Sequence, residues 1–454
     1  MKDQRHKERA SAPAPIQQVV EPFQEFLHAE SSGGILLLAV TVVALIWANS
    51  PWAGTYHEIW NTPISIVVGP HALTETVLEW INDGLMAMFF FVIGLEVKRE
   101  ILVGELASIR QAALPLAAAI GGTVVPAGLY WAFNADGPGR PGWGIPMATD
   151  IAFALGVLAL LGPRVPVSLK VFLAALAIGD DLMAVMVIAI FYTSTISWLN
   201  LAIGAIFLTL LIAANVTGVR HVLVYCVLGI GGLWLAFLLS GVHATIAGVL
   251  AAMTIPARTK LGRVEFLERG RALLRRFEQV TSSGTSPLAN QERHEVTQRL
   301  ETAVRNVATP LQRLEQALHP WVTLVVMPVF ALANAGVTLG AGVAETLFNP
   351  VAYGVIVGLL IGKPVGVLLS SGVVIRLGVA KLPDGVTWLH LVGVGFLAGI
   401  GFTMSLFITD LAFGQAEASA SAKIGILLGS AVAGLIGWSV LRSIRPSHQA
   451  RVTA

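Results

Sequence analysis

The sequence predicts an all-α membrane protein of about twelve transmembrane helices, and three observations carry that expectation. Of its 454 residues, 55% are hydrophobic and 12% charged, about half the charged share usual for a water-soluble domain. Apolar runs of near-spanning length recur along nearly the whole chain, and about 20 mainly apolar residues cross about 30 Å of hydrocarbon as a helix. The basic residues are sorted between alternate connections, the pattern that orients a chain in a bilayer.

The apolar runs cover residues 33–48, 80–97, 112–133, 145–161, 167–191, 198–218, 221–240, 242–256, 321–340, 351–376, 388–411 and 421–441. Inside lipid only helices and closed barrels satisfy their own backbone, and no run alternates as a barrel strand does. The chain divides into a polar tail (1–30), eight spans (31–256), a polar inserted segment (257–320), four spans (321–442) and a second tail (443–454). With both tails cytoplasmic, 26 of the 29 Lys and Arg residues lie inside, Arg140 and Lys423 lie outside and Lys363 falls mid-span. Trp52, Trp60, Trp131, Trp143 and Trp198 gather near the outer boundaries of that frame, where amphipathic rings are favoured. The polar start and the many later spans imply no cleaved signal peptide.

Several classes of function are disfavoured at this level. The one cysteine, Cys226, excludes an intrachain disulfide framework and a cysteine metal cluster. The net charge of +2 comes from loops that orient the chain, and no nucleic-acid motif accompanies it. Membrane lipid is therefore the expected surrounding, and nucleic acid is not an expected partner. The inserted segment carries eleven Lys or Arg residues around a linker-like stretch at 281–287. Val304, Val307, Leu311, Leu314 and Leu318 follow at spacings of three and four, which reads as an amphipathic helix interrupted at Pro310. The whole is expected to be a solvated helical hairpin.

Two spans look broken. Residues 142–156 (GWGIPMATDIAFALG) and 393–405 (GVGFLAGIGFTMS) put Gly, Pro and small polar residues where a continuous apolar helix is expected. Interrupted segments of this kind in two halves of a chain point to a transporter binding site. Asp150, Asp180, Asp181 and Lys363 lie well inside spans. At about 2.5–3.5 kcal/mol each, such residues need a compensating role. On a helix the adjacent Asp180 and Asp181 diverge by about 100°, so one is free to meet Lys363 while the other faces a cavity. Paired carboxylates offer hard oxygen ligands for a small cation such as sodium, and their mutual repulsion raises the proton affinity of at least one. Cation and protons then compete for one site. Asp150 and Lys363 have a second reading, as charges compensating the dipole ends exposed at the breaks.

The segments NDGLMAMFFFVIGLEVKRE (82–100), ATDIAFALGVLALLG (148–162), AIGDDLMAV (177–185), SGVHATIAGV (240–249), LHPWV (318–322), FALANAGV (330–337), GKPVG (362–366) and GFTMS (401–405) closely resemble the bacterial NhaA sodium/proton antiporters. The resemblance implies inverted structural repeats and two discontinuous helices that cross near the site. It implies exchange of sodium, and of lithium, for protons in the cell inner membrane, electrogenic and pH-activated, serving sodium and pH homeostasis without a cofactor. Asp181 matches the cation-binding carboxylate, Asp180 the neighbour that pairs with Lys363, and Asp150 and Thr149 the first crossover. Glu96, Arg99, Glu315 and His319 match positions tied to pH response. Gln316 departs from a histidine in that pattern, which bears on the pH set point. A homodimer is also implied, through residues 57–70.

Plainer readings exist for the peripheral residues. Glu96, Lys98 and Arg99 also suit an interfacial charge cluster ending a helix, and His319 an exposed polar flank before Pro320 at a helix start. Asp83 suits a helix cap or an access residue, and His243 a packing histidine. Two other functions fit intramembrane carboxylates. An intramembrane aspartyl protease is disfavoured because Ala177 replaces the first Gly of its motif and Lys363 disrupts a dyad that shares one proton. A cation channel is disfavoured because nothing repeats as a ring.

Overall fold

The computed structural model describes residues 30–444, except 70, 194–195, 260–261, 282–290, 339–345 and 415. The polar tails and the 281–287 linker lie almost wholly outside the described residues. The helices are α1 (Glu30–Ala48), α2 (Ala53–Asn61), α3 (Met86–Val103), α4 (Ile109–Asn134), α5 (Ile151–Leu160), α6 (Val167–Phe191), α7 (Trp198–Val216) and α8 (Val222–Leu238). They continue with α9 (Ala244–Thr254), α10 (Arg263–Thr281), α11 (Gln291–Val307), α12 (Pro310–Asn334), α13 (Pro350–Arg376), α14 (Trp388–Ala398), α15 (Phe402–Phe413) and α16 (Glu417–Ser443). Each of the twelve expected segments falls on a helix or a broken helix pair. By length and composition alone, seven helices among the described residues suffice to cross a membrane, or nine if each bent pair is one span.

Three departures stand out, two of them with local causes. One hairpin, β1 (Pro63–Val68) and β2 (His71–Thr76), interrupts the all-helical pattern, pairing antiparallel from Pro63 with Thr76 to Val68 with His71. The ninth span begins eleven residues earlier than expected. Thr309 caps α12 by accepting from the Gln312 N–H, Gln312 reaches back to the Thr309 N–H, and Pro310 sits in the first turn, where its missing N–H costs nothing. The amphipathic pattern therefore belongs to two helices: Val304 and Val307 end α11, whereas Leu311, Leu314 and Leu318 start the span. His319 and Pro320 consequently lie inside α12, not at a helix start. Thr76, with Glu79, caps the second span's entry, so Asp83 lies within a π-helical turn at Trp80–Leu85 and is not the cap.

The described residues form two compact units. The first comprises residues up to Ile59, Ala113–Met183 and the chain from Met327. There α1 packs along α5, and α16 packs along both α13 and α14. The second comprises Trp60–Ala112 and Ala184–Val326. Its core gathers Leu95, Leu211, Leu233, Phe237, Ala252, Ile255 and Leu311, with α9 seated along α3. The plain reading of His243 has a geometric basis here, since its Nε2 lies 2.7 Å from the Tyr192 carbonyl.

Candidate functional site

In the first unit both suspect spans are broken. A 3₁₀ turn (Arg140–Met147) gives way to an extended stretch before α5 begins at Ile151. The other span bends by 44° between α14 and α15. The breaks meet through their backbones, with the Asp150 N–H donating to the Ile400 carbonyl at 2.6 Å.

Asp150 serves both half-helices that start there. Its Oδ1 accepts the Phe153 N–H at 3.0 Å, capping α5, and its Oδ2 accepts from the Thr403 hydroxyl at 2.5 Å and the Thr403 N–H at 3.2 Å in the first turn of α15. Two positive helix ends thus share one carboxylate.

Lys363 is placed by a defect in its own helix. Pro364 has no N–H to donate and its ring crowds the carbonyl one turn back. The ladder widens into a π-helical turn at Gly358–Gly362, directly before the lysine. Small residues then let α4 and α13 touch: a Cβ on Gly366 would strike the Gly121 backbone, and one on Gly122 would sit 3.5 Å from Lys363 Nζ. The ammonium is sealed at 0% exposure and donates to Asp180 Oδ2 at 2.5 Å.

Thr149, at the first break, completes the cluster. Its Oγ1 lies 2.6 Å from Asp180 Oδ2 and 2.7 Å from the Ala398 carbonyl. A hydroxyl carries one proton, so it donates to one of these oxygens at a time or divides the bond. The ionisation of Asp180 is thereby coupled to the backbone of the second break. Asp180 Oδ1 accepts no hydrogen bond among the described residues, and the Asp181 carboxylate, one residue on, is 1% exposed. Of the two roles open to Lys363 from sequence, the geometry presents the pair with Asp180.

In the second unit Arg99 forms ion pairs with Glu315 and, at 3.0 Å, with Glu100. Glu96 lies one turn before Arg99 on α3, and His319 one turn after Glu315 on α12, exposed, as is Gln316. Lys98 turns away from this cluster and caps α9, donating to the Met253 and Ile255 carbonyls at 2.6 and 2.5 Å. Sequence reasoning missed Thr403 and Glu100 as partners. For Thr403 the signal was available, because a hydroxyl in the first turn after a Gly-rich break is placed to meet a buried carboxylate.

The geometry has relatives. A family model described as Na+/H+ antiporter 1 matches residues 24–441. The chain belongs to this family. It is 51% identical over 439 residues to the Na(+)/H(+) antiporter NhaA of Oleidesulfovibrio alaskensis, covering 97% of each chain. It is 48% identical to the NhaA of Koribacter versatilis, covering 95% of this chain and 94% of that one, and 48% identical to NhaA 2 of Syntrophotalea carbinolica, covering 94% and 98%. The protein is thus a multi-pass membrane transporter of the antiporter family and not an enzyme, and the ions such a family handles are cargo, not cofactors.

Proposed function

We propose that this antiporter exports sodium, and lithium, in exchange for protons, that exchange is electrogenic and pH-activated, and that it serves sodium and pH homeostasis. The observation that carries the reading is the sealed group of Asp180, Lys363 and Thr149 beside Asp181 and two abutting helix breaks. A cation entering between Asp180 and Asp181 competes with Lys363 for Asp180. Releasing the lysine removes the charge that stabilises its protonated form, so a proton leaves as the cation binds. Asp150 keeps the crossover neutral. The Glu96, Arg99, Glu315 and His319 group sets the pH response, supported by the Arg99 to Glu315 pair.

The basic loops support cytoplasmic termini and an inner-membrane location. The hairpin supports a homodimer, since Ile64, Ile66 and Val67 are exposed on β1, whose outer edge is unpaired among the described residues. The test is proton flux in proteoliposomes under an imposed proton gradient. Sodium addition should drive proton movement, faster when more positive charge is allowed to move inward, at about 2.3 kcal/mol per charge per 100 mV. Flux insensitive to a clamped potential would refute electrogenic exchange, and sodium flux indifferent to the proton gradient would refute antiport.

A further inference from the structure

The inserted hairpin of the second unit is tied close to the bilayer. Lys98 clamps the end of α9, and Asn215 Nδ2 donates to the Thr254 carbonyl at 2.5 Å. The Leu311 N–H donates to the Pro256 carbonyl at 3.2 Å, fastening the exit of α9 to the start of α12. Residues 255–262 join α9 to α10, a reach of at most about 29 Å, and two residues join α11 to α12. The hairpin is therefore held near the membrane surface.

Its charges and apolar groups are unevenly used. Phe266, Leu273 and Phe277 form a half-buried stripe on α10, which packs along α11, where Val296 and Ala303 are buried. Leu267 and Leu274, one heptad apart, are left 44% and 53% exposed beside that seam. Two other arginines of the hairpin are matched with acids, Arg269 with Glu265 and Arg299 with Glu295, both at 2.6 Å. Arg271 and Arg275, which flank the two leucines, make no ion pair among the described residues. Residues 257–309 carry ten Lys or Arg against six Glu, a net of +4.

We propose that Leu267, Arg271, Leu274 and Arg275 form a docking surface for anionic phospholipid headgroups. The leucines enter the interfacial region and the guanidiniums pair with phosphate, the division of labour of a surface-bound amphipathic helix. Each arginine near an anionic surface adds about 1 kcal/mol, about fivefold in partitioning. An acidic protein would also attract the arginines, but the short tethers put lipid within reach of the hairpin at all times.

The test uses the full chain with Cys226→Ala and Glu278→Cys, labelled at position 278 with an environment-sensitive dye, one copy per nanodisc. Discs of phosphatidylcholine are compared with discs containing phosphatidylglycerol. Because both leaflets share one composition, the result depends neither on orientation nor on transport. The proposal expects a blue shift and shielding from iodide only in the anionic discs, reversed by high salt and by Arg271→Glu with Arg275→Glu at an unchanged melting temperature. If that variant misfolds, Arg271→Gln with Arg275→Gln should still reduce the shift. Equal emission in both discs overturns the proposal. A shift seen in both lipids but only with two copies per disc also overturns it, in favour of a second copy as occupant.

Discussion

Replacing Lys363 by Gln removes the cation from a pair in which both side chains are fully sealed and the contact is 2.5 Å. Breaking one side of such a pair costs about 3–5 kcal/mol, because the remaining charge stays buried. For a cooperative unit of a few hundred residues, each kcal/mol lowers the melting temperature by about 2–4 °C, so a fall of about 10 °C is expected. Adding Asp180→Asn removes the stranded charge as well. The double variant should regain most of the loss, since a buried pair replaced at both ends is close to neutral. Lys363→Arg should stay near the parent, because it keeps a charge able to meet the carboxylate. The assay is thermal unfolding of the purified detergent-solubilised variants. A Lys363→Gln melting temperature equal to the parent's would refute the strut, and a double variant as unstable as the single would refute its assignment to Asp180.

Three further outcomes follow from other contacts. Asp181→Asn should abolish sodium-dependent proton movement at an unchanged melting temperature, and loss of folding would reassign Asp181 to structure. Deleting residues 262–305 should leave maximal exchange intact and shift only its pH profile, because Leu311 and Pro256 already hold the ends together and loop length costs little; a folded but transport-dead deletion would contradict this. Gly121→Ala should cost about 1–3 kcal/mol by overpacking, since its Cβ points at the Gly366 carbonyl and the Ser370 hydroxyl; parent-like stability would show that α4 and α13 separate more easily than their contact implies.

What was legible in the sequence depended on whether a signal was local. Val167–Phe191 was bounded to the residue because an apolar run ends where lipid ends. Asp150, Asp180 and Lys363 stood out because charge inside an apolar run is costly wherever it occurs. Their arrangement was not legible: the contact of Asp150 with Ile400 crosses 250 residues, and nothing local to ATDIAF specifies it. The hairpin at 63–76 was missed because its alternation is short and lies outside the apolar runs. The interruption at Pro310 was legible, but the residues beyond it were assigned to the hairpin and not to the ninth span, because periodicity passes through a helix boundary that only a cap, Thr309, defines.

The π-helical turn before Lys363 has a consequence for how this span tolerates change. A wide turn holds one residue more than an α turn, so residues 363–376 run about 100° out of phase with the face begun at 350–357. Removing one residue from Gly358–Gly362 would restore regular pitch and leave the ammonium facing Asp180, because the wide turn already absorbs that residue, whereas removing one from a regular α turn of the span would rotate everything beyond it by about 100°. The wide turn therefore gives the span one residue of slack upstream of its charge, whereas the 262–305 segment is free to vary by tens of residues. A cysteine-accessibility scan along α13 should display this as a jump in periodicity at the bulge.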